Sequence, residues 1–377
     1  MAKVSLKHVS QSSLAGHGGD VAVLRDLDLE IANREFVAVT GAAGCGKTTL
    51  LRLIAGLEKP GQGEITIGDR TVNDLKASER DVALVFPQDA LYPEMSVREN
   101  IAFGLRLRKF SKTEIARRVE DAAGVIGIES LLAQRPRELS GEERQRVSLA
   151  RAISRQPQVL LFDEPLANFE TGRRAEMRME IRKLHERLQT TVIYATRDPS
   201  EAMAMGERVI VLGKGGVQQF DPPERVYDQP ANMFVAGFLG SPPTNFLRGT
   251  LKLERDVILF SEAEEGTVRA RFPLSERPAA GEFVGKEIVL GIRPEDIEIV
   301  SAGKGNENAG SFPAVIDLVE TTGDERILYL QTGAHTVASR RRATAEAEPA
   351  GRRVRFQFDL GKAHFFDPIS GLRMADL

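Results

Sequence analysis

The feature that most narrows what this chain can fold into is the octapeptide GAAGCGKT at residues 41–48. It follows the apolar run FVAVT (36–40) and precedes the helix-like TLLRLIAGL. Strand, glycine-rich turn and helix in that order, with the pattern G-x-x-x-x-G-K-[ST], define a phosphate-binding loop. Gly41, Gly44 and Gly46 let the main chain turn, so that amides from Gly41 through Ala42, Ala43 and Cys45 to Thr49 converge on a phosphate chain. The helix that follows adds its positive N-terminal end. Lys47 is expected to reach the β- and γ-phosphates of ATP, and the Thr48 hydroxyl to ligate Mg²⁺. A glycine-rich turn with a surface lysine is the bland alternative. The flanking strand and helix weigh against it.

A second piece is VLLFDEP at 159–165. Four apolar residues make a buried strand, and Asp163 and Glu164 emerge at its end. An acid there can hold the Mg²⁺ shell, and the next can orient a water for attack on the γ-phosphate. Alone, such a pair is an ordinary solvated loop. Downstream of a phosphate loop it reads as the catalytic end of the same site.

The chain has 377 residues, enough for two or three domains, and 42% of them are hydrophobic. Its formal net charge is −3 with signs interspersed, so neither charge nor a basic tail calls for nucleic acid. One cysteine excludes a disulfide framework and fits a reducing compartment. The opening MAKVSLKHVS lacks the apolar core of a signal peptide. The longest apolar runs fall well short of the ~20 residues that span a bilayer.

Residues 1–240 alternate short apolar runs with longer helical patterns, which predicts a largely parallel α/β sheet. FVAVT, VLLF (159–162), TVIYA (191–195) and RVIVL (208–212) read as buried strands. Met177, Ile181, Leu184 and Leu188 share one helical face. Ser111 and Glu114 predict a capping box before Ile115, Val119 and Ala122. VSLKHV and residues 21–31 read as antiparallel strands beside the main sheet. The texture changes near GSPPTNF (240–246), and residues 241–377 read as a small all-β, barrel-like domain. Its short runs are VILF (257–260), EIVLGI (287–292), ILYLQT (327–332) and VRFQFDL (354–360), with loops at 303–310 and 343–349.

Between the phosphate loop and the DE pair lies ELSGEERQRVSLARAI (138–153). With it the chain resembles the ABC transporter ATPase family, whose signature is LSGGQ followed by a QRV-LARA helix. The tail segments GVQQFDPPERVYDQPANMFVAGFLGSPPTNFLRG and GIRPEDI resemble the sugar-importer subgroup, which carries a C-terminal TOBE-type domain. The resemblance implies a P-loop cassette with an antiparallel β subdomain and a helical subdomain. It also implies a homodimer in which each phosphate loop faces Ser140 and Gly141 of the other subunit's signature; a heterodimer with a competent partner belongs to the weak-turnover alternative below. By the same resemblance the dimer sits on the cytoplasmic face of the membrane. It drives two permease subunits and serves a solute-binding protein indirectly, for uptake of a carbohydrate-like solute. The segment ALYPEMSVRENIAFGL (90–105) resembles the permease-contacting region; Tyr92 and Pro93 serve equally as a plain loop.

Several positions depart from the family pattern. Glu142 and Glu143 replace the second glycine and the glutamine of the signature. Ser140 with Glu143 predicts a capping box, while the two carboxylates are expected to compete for the amides offered to phosphate. Like charges ~4 Å apart repel by about 1 kcal/mol in water and about 4 at an effective dielectric of 20. Pro87 stands where a metal-contacting glutamine belongs and Gln88 follows one place later; a one-residue shift in extended chain turns a side chain to the opposite face, so Gln88 is expected to ligate the metal through a bulge in the loop. Arg197 replaces the switch histidine and keeps a donor and a fixed charge for the γ-phosphate. Glu170 replaces an aspartate, Arg34 a turn glycine, and no aromatic stands near 12–14 to stack on adenine; His17 is the nearest substitute. These departures motivate an alternative, a nucleotide-binding regulatory or structural subunit with little turnover. The intact Glu164 favours a working ATPase. A DNA-repair or translation ATPase predicts a second cassette or a basic arm, and the sequence has neither.

Overall fold

The computed structural model describes residues 2–15, 19–86, 91–167, 169–300, 310–343 and 349–374, with the side chains of 13–15, 19–22 and 171 left aside. The chain divides into two compact units, residues 1–226 and 227–377.

The first unit holds β1 (Val4–Ala15), β2 (Gly19–Ile31), β3 (Phe36–Gly41), α1 (Lys47–Ala55), β4 (Gln62–Ile67), β5 (Arg70–Thr71), β6 (Val82–Val85) and α2 (Val97–Leu107). There follow α3 (Lys112–Ile126), α4 (Gly141–Ile153), β7 (Val159–Asp163), α5 (Thr171–Leu188), β8 (Thr191–Ala195), α6 (Pro199–Met205), β9 (Arg208–Gly213) and β10 (Gly216–Asp221). The central sheet runs β10-β9-β3-β8-β7-β6. All its pairs are parallel except β10 with β9. Every residue of β3, β7 and β8 is buried, as a sheet covered on both faces requires. The antiparallel sheet β2-β1-β4-β5 forms beside it from the amino-terminal strands. One apolar core lies between these two sheets and contains Leu50, Leu51 and Ile54 of α1; a second gathers α2 to α5 against the other face.

The helix that carries Met177, Ile181 and Leu184 buries all three, with Leu188 packed at its edge. The box predicted at Ser111 is half formed. Ser111 Oγ accepts from the Glu114 N–H at 3.2 Å, but the Glu114 carboxylate turns to Arg117 and Arg118 at 2.7 and 2.6 Å. Two guanidiniums outbid one amide, and they hold Glu114 down to about 2.

The second unit begins inside α7 (Pro223–Asp228) and includes α8 (Met233–Phe238). Ala236 of α8 packs on Val289 and Phe366, so this helix groups with the β-rich tail although it precedes the textural change at 240. The rest is two five-stranded antiparallel sheets around one apolar core, with Phe260, Phe356 and Phe365 fully buried. The expected loops at 303–310 and 343–349 fall almost wholly outside the described residues. No described helix is long and apolar enough to cross a membrane.

Candidate functional site

The β3–α1 turn makes a cradle that only glycine permits at two of its corners. Gly41 has φ +152°, and a Cβ there would lie 2.2 Å from the Leu212 carbonyl oxygen and 2.7 Å from Cys45 Sγ. Gly46 caps α1 at φ +104°, and its Cβ would lie 2.5 Å from Leu24 Cδ2. Gly44 at φ +77° faces open space, so there the backbone angle alone selects glycine. Lys47 is buried, and its Nζ donates to the carbonyls of Gly41 at 2.7 Å and Ala42 at 3.1 Å.

β7 ends beside this cradle because it lies two strands from β3 in the central sheet. Thr48 Oγ1 donates to Asp163 Oδ1 at 3.1 Å. Asp163 is buried, and desolvation pushes its carboxyl above the usual range despite the Thr48 hydrogen bond. A hydroxyl and a carboxylate oxygen in contact, with Lys47 alongside, are the hard donors that suit Mg²⁺. Gln88, the third expected donor, and Pro87 lie outside the described residues, as does His17.

Glu164 takes φ +48°, uncommon for a non-glycine residue, and its N–H is tied to the Ala195 carbonyl at 2.8 Å. Its carboxylate accepts from Arg197 Nε at 2.6 Å. Residues of the cradle from Gly44 to Thr49 line a cavity of about 230 Å³ together with Glu164, Arg197 and Val23. The sequence-predicted residues Lys47, Thr48, Asp163, Glu164 and Arg197 are thus brought together. Ala42 and Ala43 lie on the same loop but not among the cavity's lining. Val23 had no sequence signal; it reaches the cavity because β2 passes beside α1.

The signature segment behaves differently from the expectation. Ser140 caps α4 in a complete box: its Oγ accepts from the Glu143 N–H at 3.2 Å, and Glu143 Oε2 accepts from the Ser140 N–H at 2.8 Å. These bonds hold the Glu143 carboxyl below its ordinary value. Glu143 therefore does occupy one amide of the helix end, next to Gly141. Glu142 does not compete. Its two oxygens face Arg146 Nε at 3.4 Å and Arg173 Nη1 at 3.0 Å. The expected pair of uncompensated like charges is corrected to one capping acid and one neutralised acid. Arg173, thirty-one positions away in sequence, carried no signal for this role.

Arg34 does adopt the left-handed turn that its position demands, at φ +66°. Its N–H donates to Thr191 Oγ1 and its carbonyl accepts from His185, each at 2.9 Å. Glu170 is the N-cap of α5 but makes no side-chain cap. Tyr92 and Pro93 are exposed on a loop pinned by the buried Asn100, which bonds both the N–H and the carbonyl of Tyr92. On the same unit a groove of about 430 Å³ is lined by Leu57, Leu84, Phe86, Leu107, Arg108 and Arg155, among others. Leu107 is 68% exposed there and Leu57 46%. This larger groove does not include the phosphate cradle and lacks its chemistry.

Residues 24–167 match the ABC transporter family model, residues 240–297 the MalK OB fold domain and residues 290–366 the TOBE domain. The chain is 43% identical over 364 residues to the trehalose/maltose import ATP-binding protein MalK of Thermococcus litoralis, covering 94% of this chain and 95% of that one. It is 41% identical over 385 residues to the sn-glycerol-3-phosphate import ATP-binding protein UgpC of Bordetella avium, covering 100% of both. A solved dimeric ATP-binding cassette in a post-hydrolysis state, bound to ADP and Pi, superposes with a TM-score of 0.53 at 30% identity. The match covers 58% of this chain and 98% of that one.

Proposed function

This chain belongs to the ABC transporter family as an ATP-binding subunit, and from that premise we propose that it hydrolyses Mg-ATP to power uptake of a carbohydrate-class solute through partner permeases. The observation that carries the reading is the convergence of Lys47, Thr48, Glu164 and Arg197 on one cavity, with Asp163 hydrogen-bonded to Thr48. The loop amides and α1 hold the phosphates, and Lys47 neutralises charge between them. Thr48 and Asp163 would hold Mg²⁺, which would supply charge stabilisation to the phosphates. Glu164 orients the attacking water and accepts its proton as the bond from phosphorus to the leaving oxygen breaks. Arg197 releases Glu164 and turns to the γ-phosphate. Ser140 and Gly141 complete the site of a second copy in a homodimer.

The groove beside Phe86 and Leu107 is apolar and open enough to seat a permease segment, with the Tyr92 loop on the same unit. Docking there places the chain at the cytoplasmic face of the membrane, and the solute-binding protein communicates only through the permease. The cassette extends to about residue 240 and the β-rich remainder serves regulation or assembly. The weak-turnover alternative loses support because Glu142 pairs with Arg146 and Arg173, and because Glu164 lines the same cavity as Lys47 and Thr48.

The test is phosphate release by the purified chain, with Lys47→Ala and Glu164→Gln as controls. Mg-dependent release removed by both supports the reading. Release no faster than the Lys47→Ala control refutes it.

A further inference from the structure

The first turn of α4 carries two acids, Glu142 and Glu143, where the proposed function needs a helix end that accepts a phosphate from a second copy. Glu143 is committed to the Ser140 amide, and that bond already offsets part of the helix's roughly half-unit positive charge. Glu142 is different. Each of its carboxylate oxygens meets a separate guanidinium, Arg146 from its own helix and Arg173 from the first turn of α5. Arg146 is shared, because its Nη2 also contacts Glu180 at 3.1 Å. Two acids and two cations therefore form one chain, Glu180–Arg146–Glu142–Arg173, whose charges sum to zero.

We propose that Arg173 is a positioning residue for nucleotide-driven dimerisation, which neutralises Glu142 and keeps the α4 end receptive to a polyanionic phosphate. The proposal rests on the reading of the signature given above. Without Arg173, Arg146 must serve two carboxylates, and one net negative charge stands at a helix end whose dipole Glu143 already offsets. As glue between α4 and α5 the pair matters little, because Arg173 is 61% exposed and solvent-screened ion pairs add little to stability. Toward an incoming triphosphate the same unit charge acts on several charges at once. That asymmetry, small in stability and larger in association, separates the role from a structural one.

The experiment is ATP-dependent dimerisation of the full chain by analytical ultracentrifugation. It uses the Glu164→Gln background, with steady-state ATPase measured in the parent. The variants are Arg173→Ala, Arg173→Lys, Glu142→Gly, and Glu142→Gly with Arg173→Ala. Arg173→Ala is expected to weaken dimerisation roughly three- to tenfold, the size of a unit charge acting through a partly screened gap. Its Tm should hardly move. Arg173→Lys should restore most of the loss, 0.5 M salt should shrink it, and the Glu142→Gly background should abolish it. An Arg173→Ala effect that is absent, or equally large beside Gly at 142, overturns the proposal while leaving the function reading intact. No ATP-dependent dimer in any variant overturns both.

Discussion

Arg197 Nε meets Glu164 Oε1 at 2.6 Å at the rim of the phosphate cavity. The acid at the end of β7 and the first exposed side chain after β8 are thus an ion pair. β7 and β8 are parallel neighbours, so their carboxyl ends open side by side. The pair also has a chemical consequence. Arginine stays charged at every physiological pH, whereas an imidazole titrates.

The pH profile of turnover should therefore lack a limb from residue 197. Between pH 6 and 8, kcat of the parent chain is expected to be flat with respect to this group. Arg197→His should introduce an imidazole limb, with activity falling as pH rises and the cation is lost. An Arg197→His profile parallel to the parent's would contradict the assigned γ-phosphate contact.

Asp163 supplies a stability test with a defined sign. Burial raises its carboxyl above the unfolded value, so the native state binds more protons than the unfolded chain in that window. Stability is lost as pH rises through the window and stays lowered above it. Asp163→Asn should raise the Tm of the nucleotide-free chain at neutral pH by roughly 2–4 °C, as about 1 kcal/mol does in a unit of this size. The gain should vanish at pH values below the ordinary carboxylate range, and Mg-dependent turnover should be lost throughout. Calorimetry at two pH values checks both arms.

The loop glycines should separate by mechanism. Gly44→Ala meets no neighbour and should cost about 1 kcal/mol from its backbone angle alone. Gly41→Ala would press on the Leu212 carbonyl and should cost several kcal/mol or prevent folding. Denaturant titration of the two variants tests the ranking; equal costs would show that the cradle is looser than its contacts indicate.

In the second unit, Glu262 has a fully buried side chain. It accepts from His335 Nδ1 at 2.7 Å, from the Thr332 hydroxyl and from the Val268 N–H at 2.9 Å. Glu262→Ala leaves His335 Nδ1 and the Val268 N–H without an acceptor, while the Thr332 hydroxyl keeps the His335 carbonyl at 3.1 Å, and should destabilise the unit by about 3 kcal/mol. The cassette's ATPase should be unaffected. Thermal unfolding followed alongside phosphate release distinguishes the two effects.

The groove at Leu107 predicts a coupling phenotype. Leu107→Asp changes an exposed side chain and should leave ATPase of the isolated chain within about twofold. Copurification of membrane partners should fall at least tenfold. Retention of the permease by this variant would move the docking surface elsewhere.

Much of this was legible in the sequence because the determining interactions are local. The phosphate loop, the four central strands, the Ser140–Glu143 box and the Met177–Leu184 face each depend on residues a few positions apart. Their periodicity and glycine placement specify them directly. Where a local pattern had a nearby competitor it failed, as when Arg117 and Arg118 drew Glu114 out of its box. The sequence alone determined that a phosphate loop, a paired-acid strand end and a signature helix occur in this order. Full-length similarity to known import ATP-binding proteins establishes the family.

Only the tertiary structure decided what these pieces do to one another. Sheet order brings Asp163 to Thr48, 115 positions apart, and strand adjacency sets Arg197 on Glu164. The packing of α5 beside α4 turns Glu142 from an uncompensated charge into half of an ion pair with Arg173. Charge is read from sequence residue by residue, but its effect depends on which opposite charge folding places within a few ångströms.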